Sequence, residues 1–375
     1  MTGPDQIAPL IIPDRGEYLK TKAGEGVHIM GVLPALYPRE LLWAHGILPA
    51  EIWDPPGEIV QANAHLQASI CGVVKRGLEF ILHESDLITS GYLFPHTCDS
   101  LQNLGSQVKD LLDSQKPIYS FYNPKAANTP ATTTFYLESL KGLSRELSPD
   151  STELSPEELI PFCELGAEID QLRAEIMAAR AADHLELSNK TFRRLMRAEE
   201  YLLPQDHYAL LHTAQNHIIP IRKTGLPILL SGILAPQDEI LDLLDNEGIS
   251  IVADDLLSGS RRYPMIPLQP QGDPWEYLSD RYFRLPPCST QANSLHQRIE
   301  HLEQLISNTQ AQGVLFNIVK FCEPELFDHK SLVNHFRQCG FPTLKLETEL
   351  EAHSSGQNLT RVEAFIEMLK ERAIS

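Results

Sequence analysis

Two patterns alternate along this chain: short runs of consecutive apolar residues, and stretches in which apolar positions recur every three or four residues. Runs of the first kind read as strands buried on both faces, and the second period reads as amphipathic helix. V-H-I-M-G-V-L at 27–33 predicts a strand. E-L-L-W-A-H-G-I-L, opened by Pro38 and Glu40 and closed by Pro49, predicts a helix. S-G-Y-L-F-P-H-T at 90–97 and P-I-Y-S-F-Y-N-P at 117–124 predict two further strands, with the helical stretch S-L-Q-N-L-G-S-Q-V-K-D-L-L-D-S-Q between them. Strand–helix–strand order favours a parallel sheet.

From about residue 145 the character changes. L-S-P-D-S-T-E-L-S-P-E-E-L-I-P-F is a Ser/Pro/Glu-rich connector with a helix start at Ser155-Pro156-Glu157-Glu158. The segments from Glu168 to Leu203 and from Gln205 to His217 are then helical without strand runs. Near 226 the alternation resumes. Strands are predicted at 226–234, 249–256, 313–321 and 341–349, with helices in D-E-I-L-D-L-L-D-N-E-G, H-Q-R-I-E-H-L-E-Q-L-I-S-N-T-Q-A-Q, L-F-D-H-K-S-L-V-N-H-F-R-Q-C-G and L-T-R-V-E-A-F-I-E-M-L-K-E-R-A-I. The expectation is an α/β fold of three parts: an N-terminal α/β domain over 1–144, a helical domain over 145–222 and a C-terminal α/β domain over 223–375. A length of 375 residues agrees, since single cores stop growing beyond about 250–300 residues.

Charge narrows the partners. With 31 basic against 50 acidic residues the net charge is −19, which repels phosphate backbones and argues against nucleic acid. No apolar stretch approaches the roughly 20 residues of a membrane span, and the first 20 residues lack the order of a secretory signal, so the expected compartment is the cytoplasm. G-x-G-x-x-G, G-x-x-x-x-G-K-[ST] and G-x-S-x-G are all missing, so a dinucleotide site, ATP hydrolysis by this chain and a hydrolase elbow are unsupported.

The six cysteines are too sparse for a disulfide scaffold, and none forms a C-x-x-C pair. Their surroundings say more. Cys98, in G-Y-L-F-P-H-T-C-D-S, and Cys322, in G-V-L-F-N-I-V-K-F-C-E-P, each follow the carboxyl end of a predicted strand and precede a helix. Open α/β sheets bind ligands at such places, and a helix N-terminus stabilises a thiolate. Cys71 precedes Gly72 and a helical run carrying Lys75 and Arg76, cations expected to favour its thiolate. The spacing 71, 98, 322 matches no standard ferredoxin pattern. From the residues alone two readings stand: buried small hydrophobes, or soft ligands for a metal or iron–sulfur cluster.

Six short motifs then carry a resemblance. P-R-E-L-L-W-A-H-G-I-L-P (38–49), H-T-C-D-S (96–100), S-G-S-R-R-Y (258–263), K-F-C-E-P-E (320–325), L-E-T-E (346–349) and G-Q-N-L-T-R-V-E-A-F-I-E (356–367) stand in the order found in the 2-hydroxyacyl-CoA dehydratase and benzoyl-CoA reductase family. The chain resembles that family, in the 2-hydroxyglutaryl-CoA dehydratase manner, over nearly its whole length. The resemblance implies two Rossmann- or flavodoxin-like parallel-sheet domains joined by a small helical domain. It also implies one [4Fe–4S] cluster held by Cys71, Cys98 and Cys322, with one iron left open. The implied enzyme is an oxygen-sensitive radical lyase of anaerobic metabolism. One electron added to an acyl-CoA thioester makes a ketyl radical, which expels hydroxide from a 2-hydroxyacyl group. A related second subunit (or a second copy) and an ATP-dependent iron–sulfur activator are the implied partners. Reduction of benzoyl-CoA, or low-potential electron transfer without catalysis, are the alternatives.

The remaining candidates are weaker. Cys163 and Cys339 are assigned to structure, and Cys288, in R-L-P-P-C-S-T, is a loop thiol whose approach to the cluster the sequence leaves open. Asp99, Glu323 and Glu325 are expected chiefly to stabilise helix N-termini. Arg261, Arg262, Thr360 and Arg361 are expected in loops, either facing an acyl-CoA or the cluster, or forming ion pairs. His45, His207, His212 and His217 read as packing or surface residues, since intervals of five do not share a helix face. No acid or base is assigned.

Overall fold

Each long apolar run becomes a central or flanking strand in one of two four-stranded, wholly parallel sheets. The structure, a computed structural model, describes residues 8–83, 88–110, 116–220, 225–291, 293–350 and 354–374. The first sheet contains β1 (His28–Val32), β2 (Ile47–Glu51), β3 (Gly91–Pro95) and β4 (Ile118–Phe121), in the order β2-β1-β3-β4. The second contains β5 (Leu226–Gly232), β6 (Ile249–Leu256), β7 (Gly313–Val319) and β8 (Thr343–Thr348), in the order β6-β5-β7-β8. The two orders are equivalent. In each the chain steps one way from the first strand, then returns past it, so a switch point lies at the carboxyl ends of β1 and β3, and of β5 and β7. Two flavodoxin-like units are therefore present, as expected.

The helices around the first sheet are α1 (Arg15–Gly24), α2 (Arg39–Ala44), α3 (Ala62–His65), α4 (Gly72–His83), α5 (Asp99–Asp110) and α6 (Pro130–Leu147). Next come α7 (Pro156–Ala181), α8 (Asn189–Arg197) and α9 (Pro204–Ala214). The second sheet carries α10 (Asp238–Asn246), α12 (Leu295–Thr309), α13 (Glu323–Gln338) and α14 (Gly356–Ile374), while α11 (Pro274–Phe283) packs against α6 and α7. The helix expected to run to 115 is described only to Asp110; 111–115 and the first seven residues lie outside the described residues.

The start of α7 follows its sequence signal: the Ser155 hydroxyl accepts from the Glu158 N–H, the Glu158 carboxylate accepts from the Ser155 N–H, and Pro156 fills the first turn. One reading needs correction. E-L-L-W-A-H-G-I-L is not a single helix. Helix α2 stops at Ala44, Gly46 turns the chain at φ +70°, and β2 begins at Ile47. Pro49 lies within β2, which pairs only with β1, so the missing N–H faces no partner strand.

Packing unites the parts. Ile29, Leu48 and Ala50 on one face of the first sheet share a core with Ile169, Ile176, Leu195 and Leu211 of α7–α9. Val32, Leu33 and Leu93 share another with Leu257, Val319 and Cys322 of the second half. This second core brings the two switch points together. Among the described residues no helix is long and apolar enough to cross a membrane.

Candidate metal centre

Three cysteines, each immediately before a helix, meet where the halves join. Cys98 follows β3 and precedes α5, Cys322 caps α13 after β7, and Cys71 precedes α4. Phe321, at φ +61°, makes the left-handed turn that lets the chain leave β7 and enter α13 at Cys322. Such backbone strain in a bulky residue concentrates at sites that need it. Gly72 lets α4 start against the other half: a β-carbon there would lie 3.2 Å from the Glu349 carbonyl oxygen, beyond β8.

Backbone N–H groups point at all three sulfurs. Val73 and Val74 donate to Cys71, Ser100 and Leu101 to Cys98, and Glu325 to Cys322. Three helix N-termini thus present unpaired donors and the positive ends of their dipoles to the three sulfurs. Cys71 and Cys322, both buried, hydrogen-bond through their side chains. The bond holds the Cys71 thiol below its ordinary range, against its burial, and it joins burial in pushing Cys322 well above. Burial pushes Cys98 up to about 11, against the Leu101 and Ser100 N–H groups, while the Cys71 sulfur adds to the rise. Cys71 and Cys322 are buried and Cys98 half-buried, and the last two thiols are costly to ionise without a cation.

The cations foreseen from sequence do not serve Cys71. Lys75 donates to the Ala68 carbonyl at 2.9 Å, and Arg76 to those of Pro55 and Gly57 at 3.1 and 2.8 Å. Lys125 takes their place near Cys98, its Nζ donating at 2.7 Å to each of the Thr97 and Thr290 carbonyls. Nothing in N-P-K-A-A-N marks this lysine except that it follows a strand end, as the ligands do.

Beneath Cys322 lies a closed set of buried charges. Arg261 binds both Asp255 oxygens at 2.6 and 2.7 Å and Glu325 at 2.7 Å, while Arg298 lies 3.4 Å from Asp255 and 3.0 Å from Asp328. Burial would raise the Glu325 carboxyl, but Arg261 and Arg298 hold it below its usual range. Asp255, with the same two arginines against its burial, lies at about 2. Glu325 therefore takes the helix role expected of it: it sits in the first turn of α13 and anchors that helix to Arg261. Asp99 and Glu323 are exposed at their helix starts.

Other expectations are corrected in detail. Arg261 and Arg262 occupy a short 3-10 turn, Ser260–Arg262, and both are buried in ion pairs, Arg262 with Glu51 of the first half. Thr360 and Arg361 lie inside α14, not in a loop; Thr360 is exposed and Arg361 donates to the Lys345 carbonyl. Cys288 is buried, 3.1 Å from the Thr290 hydroxyl and 3.7 Å from Arg261 Nη1. Cys163 is buried and Cys339 exposed. His45 packs with its Nε2 3.1 Å from the Ser144 hydroxyl, and His207 and His217 are buried while His212 is exposed. A cavity of about 40 Å³ is lined by Tyr37, Arg39, Glu40, Arg262, Tyr263 and Tyr282 among others, and by none of the three cysteines.

Comparison with known proteins shows the family of the chain. The family model described as 2-hydroxyglutaryl-CoA dehydratase, D-component, matches residues 34–369. The chain is 26% identical to the lactoyl-CoA dehydratase beta subunit of Anaerotignum propionicum, covering 93% of each chain. It is 24% identical to the (R)-phenyllactyl-CoA dehydratase beta subunit of Clostridium sporogenes, covering 92% of each. To a benzoyl-CoA reductase subunit of Thauera aromatica it is 22% identical, over 88% of this chain and 86% of that one.

Proposed function

We propose that this chain, which belongs to the 2-hydroxyglutaryl-CoA dehydratase D-component family, is an iron–sulfur subunit of a 2-hydroxyacyl-CoA dehydratase, with Cys71, Cys98 and Cys322 as the ligands of one [4Fe–4S] cluster. The observation that carries the reading is the meeting of three thiols on three helix N-termini drawn from both halves. Thiolates are the usual ligands of such clusters. Among the described residues no three His, Cys, Asp or Glu side chains converge as on a single metal ion. A four-iron cluster asks for a wider arrangement, one thiolate to each of several irons.

When bound, the cluster would supply one low-potential electron for the thioester carbonyl, so that the resulting ketyl radical expels hydroxide. The chain's own part is to direct backbone N–H groups at the three sulfurs and to anchor the Cys322 helix through the Glu325 ion pairs. Relatives named as beta subunits support a related second subunit, and an ATP-dependent iron–sulfur activator would deliver the electron. The match to a subunit of benzoyl-CoA reductase keeps ring reduction as the second reading.

Anaerobic purification with iron and sulfide analysis tests the ligands. Cys71→Ala, Cys98→Ala and Cys322→Ala are each expected to lose most of the iron, and a full cluster in all three would sink the assignment. Turnover of a 2-hydroxyacyl-CoA against benzoyl-CoA, with the partner subunit, activator and ATP, then chooses between the two chemistries.

A further inference from the structure

The buried arginines near the centre are neutralised: Arg261 by Asp255 and Glu325, Arg298 by Asp255 and Asp328, and Arg262 by Glu51. Lys125 is different. Its ammonium is held by the carbonyl oxygens of Thr97 and Thr290, at 2.7 Å each, and among the described residues no carboxylate pairs with it. Thr97 is the residue before Cys98, and Thr290 lies two residues after Cys288 and touches its sulfur. The lysine therefore clasps a loop of each half, and its charge acts on the Cys98 and Cys288 sulfurs and on the exposed Asp99 carboxylate, with which it forms no ion pair.

We infer that Lys125 is the fixed positive charge of the centre, setting how readily the group held by Cys71, Cys98 and Cys322 accepts an electron. This rests on the cluster reading proposed above. A cluster bound by thiolates gains negative charge on reduction, and its potential follows local charge and hydrogen bonding. The surroundings oppose that gain: the chain carries a net charge of −19, and Glu325 adds a carboxylate beside Cys322. Carbonyl oxygens can fix an ammonium in place without cancelling its charge, whereas a carboxylate would cancel it. Two carbonyls from opposite halves do that here. Lys125 is exposed to solvent over much of its side chain, so water screens the effect to the scale of a surface ion pair.

The test is an EPR-monitored redox titration of the anaerobic protein with Lys125→Met and Lys125→Arg beside wild type, together with iron and sulfide content. At the wild-type midpoint the reduced-to-oxidised ratio in Lys125→Met is expected to fall about three- to fivefold, the reach of a screened unit charge. Lys125→Arg, which keeps the charge, is expected to restore it. Loss of iron in Lys125→Met with retention in Lys125→Arg would support the same role. An unmoved ratio in Lys125→Met at full iron content would overturn the inference, as would equal shifts in both variants. Far-UV circular dichroism covers the remaining case: if both variants fail to fold, Lys125 belongs to the scaffold and the inference falls. Absence of iron and sulfide from wild type would instead overturn the cluster reading itself.

Discussion

The two sheets have the same strand order and offer a cysteine at the same place, where the third strand hands over to its helix, yet they support it in opposite ways. In the second half Cys322 stands on a dense lattice of buried ion pairs in which every arginine meets a carboxylate. In the first half Cys98 stands on a loop, next to one lysine bound to carbonyls and an exposed Asp99. The first half keeps its own lattice at a distance, on the side facing α7. There Arg39 meets Glu40 and Asp170 at 2.8 Å, and Arg39, Arg173 and Tyr263 converge on Glu199. One cysteine is thus fixed by paired charge, and the other is left a charge that is not paired. A shared fold dictates where a ligand stands, while the electrostatics behind it remain free to differ.

Removing Arg261 is the strongest way to break this contrast. Arg261→Met would leave the buried Asp255 and Glu325 carboxylates with only the longer contacts to Arg298, a loss of about 3–5 kcal/mol, read as a lower urea midpoint. A middle-sized effect separates the equivalent first strands. At Gly232, φ is +151° and an added β-carbon would sit 2.1 Å from the Asn317 carbonyl oxygen, whereas at Gly31 it would meet the Tyr92 ring at 2.8 Å. Gly232→Ala should therefore destabilise by about 1–3 kcal/mol more than Gly31→Ala, because a ring can yield and a left-handed backbone cannot.

The smallest effect is one of pH. His207 is buried, both ring nitrogens are without partners, and burial, then Arg173 and Arg39, push it well below its ordinary 6.5. Above that value it is neutral in both folded and unfolded chains and contributes nothing. Below it the unfolded chain takes up a proton that the fold refuses, so stability falls with acid. Between pH 7 and 6 the loss attributable to His207 is about 0.7 kcal/mol, and His207→Leu should lack that increment in paired urea titrations. Asp255, at about 2, stays charged throughout this range. Acid should accordingly loosen the first lattice before the second.

Much of this was legible in the chain. Seven of the eight strands are visible in the chain: runs such as β3, β5 and β7, buried on both faces, have no polar side to disguise them, while β8 shows as the alternation T-L-K-L-E-T. Strand β2 escaped because Ile47 and Leu48 continue the period of α2, and only the left-handed Gly46 separates the two. Helices α1, α6 and α11 went unread; α11 in particular, P-W-E-Y-L-S-D-R-Y-F, buries an arginine and a serine along with its aromatics. The cysteines could be proposed because strand ends are visible in sequence. The charge behind them could not. Arg261 and Glu325 are 64 residues apart, and nothing local in R-R-Y or C-E-P-E reveals that they touch.

Cys71 and Cys98 belong to one half and Cys322 to the other, with more than half of the chain running between Cys98 and Cys322. Whatever binds all three sulfurs also closes that long loop, as a cross-link would, and removes freedom from the unfolded chain more than it adds contact to the folded one. Loading such a centre would then act as a latch on the whole molecule. Two sheets that could open along their shared core would be obliged to melt as one, and a chelator that strips the centre would let them part in sequence.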